Sequence, residues 1–159
     1  MDGQCSESTG QVYVRSASLR GRFAIMYSWY FPKDMPRDGT GGHRHDWEQI
    51  VVWLSEQSLD AEVKGVSFSS HGGWLKRTAA KVDFDGDHPK VKYFRIAGLL
   101  NHGLDTTKVK GGQQPLINWP QLTLKARDAL NTADFGSASV KFRDDNHIEN
   151  LDDSWKDGF

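Results

Sequence analysis

The chain has 159 residues, 37% of them hydrophobic and 11% aromatic, which is the length and core content of one ordinary domain. Its 20 Lys and Arg against 21 Asp and Glu give a formal net charge of -1 spread along the whole length, and this excludes the basic stripe that nucleic-acid phosphates require. No apolar run suits a membrane-spanning helix, and the opening Met1-Asp2-Gly3-Gln4-Cys5 has neither the apolar stretch nor the cleavage pattern of a signal peptide.

Cys5 is the only cysteine, so an internal disulfide and a multi-cysteine zinc site are excluded within this sequence. A first short strand is expected over Gln11 to Arg15. The strongest strand signal follows from Arg22 to Phe31, where Phe23, Ile25, Tyr27, Trp29 and Phe31 alternate with Ala24, Met26, Ser28 and Tyr30. Pro32 stops that run, and Asp34 to Gly42, with Pro36, Asp38, Gly39, Gly41 and Gly42, has the composition of a functional loop. Trp47 to Leu54 is apolar on both faces and reads as a central, buried strand.

Further strands are expected at Glu62 to Phe68, Val91 to Ile96 and Ser137 to Phe142, with tight turns or loops at Gly72-Gly73 and Gly111-Gly112. Leu122 to Asn131 has helical spacing, and Asp145 or Asn146 can cap a last helix running through Leu151 to Trp155. Many short strands and few helices point to a mainly β fold, a β-sandwich with peripheral helices, in a single domain over residues 1–159.

The densest chemistry is Gly42-His43-Arg44-His45-Asp46-Trp47-Glu48, two imidazoles and two carboxylates at the entrance of the buried strand. Asp46 and Glu48, two residues apart in an extended chain, share a face, and paired carboxylates repel unless a cation or a proton lies between them. His43 can turn toward the pair from the loop, and Asp34 approaches from the loop's other end. Asp34, His43, Asp46 and Glu48 together make an oxygen-rich set suited to Mg²⁺ or Ca²⁺, with Mn²⁺ possible. The alternative is a solvated strand end whose carboxylates pair with Arg44, Lys33 and Arg37. His71 and His102 are candidates for the same cavity and equally for hydrogen-bonded structural histidines. Asp83-Phe84-Asp85-Gly86-Asp87 lacks the EF-hand spacing and reads as a polar turn. Trp29 and Trp53 belong to the core, whereas Trp74 and Trp119 lie in loop-like sequence and are expected to be exposed.

Ala24-Ile25-Met26-Tyr27-Ser28-Trp29-Tyr30-Phe31-Pro32-Lys33-Asp34 and the Gly42 to Glu48 heptapeptide, in this order, resemble the two signatures of the necrosis- and ethylene-inducing-like proteins of fungi, oomycetes and bacteria. Weaker similarity runs from about Cys5 through Trp155. The resemblance implies an actinoporin- and fungal-lectin-like β-sandwich, secreted, non-enzymatic and monomeric. It implies a cytolysin that binds the sugar head groups of plant glycosylinositol phosphoceramides through a divalent cation and then damages the plasma membrane. Asp34, His43, Asp46 and Glu48 match the cation-site positions, and His45, His71, Asn101 and His102 are further binding candidates.

The segment Ala24–Glu48 also resembles the peptide pattern that plant immune receptors perceive. The family's partner for Cys5 and its signal peptide are missing here, as expected of a chain shortened at its N-terminus. Gly98-Leu99-Leu100 stands where many members carry an aromatic before Asn101-His102. Two other readings stay open: a non-cytolytic homologue acting only as an immune pattern, and a cupin-like metal enzyme with His43, His45 and Glu48 as ligands and His71 or His102 as the third histidine.

Overall fold

The structure, a computed structural model, describes residues 10–34, 42–95 and 102–159. Cys5, the whole connector 35–41, and Asn101 with Gly98 to Leu100 lie outside the described residues. Strands β1 (Val12–Leu19) and β2 (Arg22–Asp34) form a hairpin. Its two turn residues, Arg20 and Gly21, both have positive φ (52° and 67°), the mirror-image turn that matches the twist of paired strands. β2 pairs along its length with β3 (His43–Leu54), which begins four residues before the expected Trp47, so the whole acidic motif is strand rather than loop.

Alternation then sorts the side chains of β3 into two cores. Trp47, Val51 and Trp53 join Ala24 and Met26 on one face, beneath Val140, Phe142, Leu151 and Trp119. Ile50 and Val52 face the other way, against Val66, Phe68, Val82 and Leu104. The strand is buried on both sides, as its sequence requires. Ala24 lies opposite Trp53 across the ladder, and the small side chain leaves space for the indole, which also packs on Trp155 at 4.8 Å. Each fully buried side chain of this size stabilises the fold by about 1.5–3 kcal/mol.

β4 (Val63–Ser70) pairs with β3 and also with β5 (Gly73–Thr78) through a turn at His71 and Gly72. A minimal hairpin, β6 (Phe84–Asp85) and β7 (His88–Pro89), replaces any calcium loop at Asp83 to Asp87. β8 (Val91–Arg95) and β9 (His102–Thr106) pair with each other. Val91, Tyr93 and Leu104 pack on Ile50, Val52, Val66 and Phe68, which gives the sheet its second layer and the mainly β, sandwich-like architecture. β10 (Leu116–Asn118) lies parallel to the start of β1.

The helices are α1 (Leu124–Thr132), whose first turn is capped by Thr123 Oγ1 accepting from the Ala126 N–H at 3.2 Å, and α2 (His147–Trp155), which follows Asn146. Three expectations need correction. Pro32 does not stop β2, which continues to Asp34 with Lys33 paired to Arg44 and Asp34 to His43. Ser137 to Phe142 is irregular rather than a strand. Val140 and Phe142 are buried as its alternation implies, but the segment's carbonyls accept from side chains instead of a neighbouring strand: Val140 from Asn146 Nδ2, Lys141 from Asn150 Nδ2 and Phe142 from Arg15 Nη1. Trp119 is buried at 4% exposure, edge-on to Phe142 and beneath the Arg15 guanidinium, with its N–H donating to Asp144 Oδ1 at 3.1 Å. Trp74 is half-buried.

Candidate functional site

The pairing of β4 creates the site. β3 runs alongside β4 only as far as the Ile50–Phe68 pair, and β9 then meets the same strand at Ser70–Gly103. Between them the sheet forks. Beyond Ile50, Ser69 Oγ substitutes for a ladder partner by accepting from the Gln49 N–H at 2.9 Å, and it donates to the Glu48 carboxylate. At Gly103 the approach of β9 is close: an added Cβ would lie 3.2 Å from Ser69 O and Ser70 Cα.

Asp34, His43, Asp46, Glu48, His71 and His102 all line one and the same cavity, of about 690 Å³, which opens in this fork. Asp34, paired with His43 at the joined ends of β2 and β3, is 3% exposed. Its Oδ2 lies 3.5 Å from His43 Nε2, and its Oδ1 faces His102 Nδ1 in an ion-pair contact that lacks hydrogen-bond direction. Phe31, Tyr93 and His102 stack in series, with centroids 4.5 Å and 4.7 Å apart, and hold His102 against Asp34. Tyr93 donates to Asp46 Oδ2 at 3.4 Å, while Asp46 Oδ1 accepts from the Trp47 N–H at 2.9 Å.

Crowding leaves an electrostatic mark. Burial above all, and then the charges of Asp46 and Asp34, push the Glu48 carboxyl up to about 8 against the lowering effect of its Ser69 hydrogen bond. Asp46 is raised by burial and by Asp34. The Tyr93 phenol is raised by burial and by all three carboxylates. The carboxylates are therefore crowded together and partly desolvated, which is the condition a cation or a shared proton relieves. Among the described residues no group of three or more His, Cys, Asp or Glu side chains is drawn together closely enough to hold an ion by itself. A donor set of this kind fits a partly hydrated hard cation, reached by some side chains directly and by others through water.

His45 does not line the cavity. Its backbone has φ +66°, and its ring turns to the opposite face, with Nδ1 2.6 Å from the Tyr30 hydroxyl and its edge against Phe135. The cupin-like set of His43, His45 and Glu48 is consequently not assembled. Asn101 lies outside the described residues. Ser69 and Tyr93 belong to the site without any signal in the sequence, because neither stands in a motif and both arrive through long-range strand pairing. Beyond the fork the cavity continues across the other face of β3, where Gln49, Lys76, Lys141 and Lys156 line it with Asp153 and Asp157. Gln49 Oε1 is buried there without a hydrogen-bond partner among the described residues.

The family model described as Necrosis inducing protein (NPP1) matches residues 1–154. The chain is 45% identical over 147 residues to NLP effector protein 2 of Phytophthora capsici, covering 91% of this chain and 59% of that protein. It is 44% identical over 147 residues to Necrosis-inducing protein NPP1 of Phytophthora nicotianae, covering 91% and 62%. It spans 42–62% of the length of relatives such as these. Among solved structures it is similar to NLPPya in complex with glucosamine, at TM-score 0.83 and 46% identity, covering 91% of this chain and 68% of that one. It is as similar to the non-toxic HaNLP3 protein, at TM-score 0.84 and 40% identity, covering 92% and 68%.

Proposed function

Because the chain belongs to the necrosis-inducing protein (NPP1) family of plant-pathogen toxins, we propose that it is a secreted, plant-directed cytolysin whose acidic cavity binds a sphingolipid sugar head group through a divalent cation. The observation that carries this reading is the confinement of Asp34, Asp46 and Glu48 to one cavity beside His43 and His102. The bound amino sugar in NLPPya supports a glycan as the ligand class. Mg²⁺ or Ca²⁺ held there supplies charge neutralisation and open coordination positions for sugar hydroxyls. The carboxylates orient the ion, His43 and His102 offer nitrogen lone pairs or N–H groups, and the lysines in the groove's other arm suit the phosphate of an inositol phosphoceramide.

This is binding chemistry rather than turnover. Asp46→Ala and Glu48→Ala are expected to keep the fold and to abolish dye release from vesicles that contain glycosylinositol phosphoceramide. Leakage at the wild-type level by both variants would end the proposed role of the cavity.

A second reading keeps the family and drops the toxicity, so that the chain acts through the immune-recognised segment Ala24–Glu48 alone. The near-equal likeness to a non-toxic relative favours it, since the fold by itself does not separate the two. Leaf infiltration of the folded protein beside a synthetic Ala24–Glu48 peptide separates them: lesions from the protein alone require the cavity.

A further inference from the structure

Strand β3 contains one residue in a conformation that strands do not use, His45 at φ +66°. Its place in the ladder explains how this is accommodated. The pairs Phe31–Asp46 and Lys33–Arg44 are formed, and the pair between them, Pro32 with His45, is missing. Pro32 has no N–H to offer across the sheet, so the His45 carbonyl is not required as an acceptor there. It turns back along its own chain and lies 2.8 Å from Nδ1 of His43.

A carbonyl oxygen can only accept. The hydrogen of neutral His43 is therefore on Nδ1, and Nε2, the atom 3.5 Å from Asp34, carries a bare lone pair. The opposite tautomer would aim an N–H into a space that gathers positive charge. A non-glycine residue in the left-handed region is strained, because its Cβ crowds the neighbouring backbone. The Tyr30 hydroxyl and the Phe135 ring hold the His45 side chain in place on the far face of the strand, which offsets that strain.

We infer that His45 is a positioning residue for the cation site and acts through its main-chain carbonyl: the left-handed turn fixes His43 as the Nδ1–H tautomer and presents Nε2 to the carboxylates. The inference rests on the cation reading of the cavity. It gives the second histidine of the heptapeptide a task that requires its backbone rather than its imidazole. Groups that orient a metal-site histidine in this way are worth about 10–100-fold in metal affinity.

The test varies the backbone preference at position 45. Gly and Asn adopt positive φ readily and a β-branched residue does not, so His45→Gly and His45→Asn are compared with His45→Val. The ¹⁵N shifts of the His43 ring, assigned with His43→Gln, are recorded without metal at about pH 8, where imidazole is neutral. Mn²⁺ affinity is measured on the same samples by electron paramagnetic resonance, with amide spectra confirming the fold.

Wild type, His45→Gly and His45→Asn should show the Nδ1–H form and similar Mn²⁺ affinity. His45→Val should show the Nε2–H form and bind Mn²⁺ about tenfold more weakly or worse. An Nε2–H tautomer in wild type, or an unchanged one in His45→Val, overturns the inference. So does an affinity loss in His45→Gly equal to that in His45→Val, which would assign the role to the imidazole. A wild-type protein with the expected tautomer that binds no Mn²⁺ overturns the cation reading itself, and the positioning role with it.

Discussion

His147 should make this protein acid-sensitive over a defined pH window. It opens α2 at 2% exposure, and neither ring nitrogen has a hydrogen-bond partner among the described residues. Burial above all, and then the charge of Arg15, push its pKa from 6.5 down to about 4, opposed by Asp144. Its position at a helix N-terminus also disfavours the imidazolium. Above pH ~6.5 both the folded and unfolded states hold a neutral ring, and the group adds no pH dependence. Between ~6.5 and ~4 the unfolded chain binds a proton that the folded chain refuses, so stability falls as the pH falls; below ~4 both states are charged and the loss is complete.

At about 1.4 kcal/mol per pH unit, the interval corresponds to about 3 kcal/mol. His147→Phe keeps an aromatic ring of similar size and cannot titrate. Urea unfolding at several pH values should show wild type losing about 3 kcal/mol relative to this variant as the pH is lowered through the window. Glu48, whose raised pKa acts in the opposite sense, is common to both proteins and cancels in the difference. Parallel stability curves, or a His147 resonance that titrates near 6.5, would refute the reasoning.

Three further outcomes are expected. Saturating Mg²⁺ at about one hundred times its dissociation constant should raise wild-type stability by about 2.7 kcal/mol and leave Glu48→Ala nearly unchanged, as read by urea midpoints with and without chelator. Gly65→Ala should destabilise by about 1–3 kcal/mol, because its Cβ would meet the Phe159 ring at 2.5 Å and the Arg77 carbonyl at 2.6 Å, and the carbonyl is backbone that cannot swing aside; thermal melts check this. Lys141→Glu should weaken binding to vesicles carrying phosphate-linked glycans several-fold at low salt, with the difference from wild type shrinking as salt is added.

What the sequence determined was everything carried by period and proximity. The alternation from Arg22 to Phe31 and the two-sided apolar run from Trp47 to Leu54 defined the central pair of strands, since a buried strand must be apolar wherever a neighbouring layer covers it. Asp34, His43, Asp46 and Glu48 were legible because one short connector joins them. Ser137 to Phe142 misled for the same reason: alternation reports which side chains are buried, and it is silent on whether Asn146, Asn150 and Arg15 will take the carbonyls that a strand would need.

The tertiary structure decided which distant groups complete the site. Ser69, Tyr93 and His102 reach the carboxylates because β4 exchanges β3 for β9 along one edge, a long-range choice that no local pattern encodes. It also separated the two histidines of the heptapeptide. Simple alternation puts His43 and His45 together on the Trp47 face, where His45 stays against Tyr30 and Phe135, whereas the left-handed turn at His45, opposite Pro32, carries His43 over to the face of Asp46 and Glu48. Local sequence sets which groups are available near a strand end, and the pairing of remote strands sets where their atoms point.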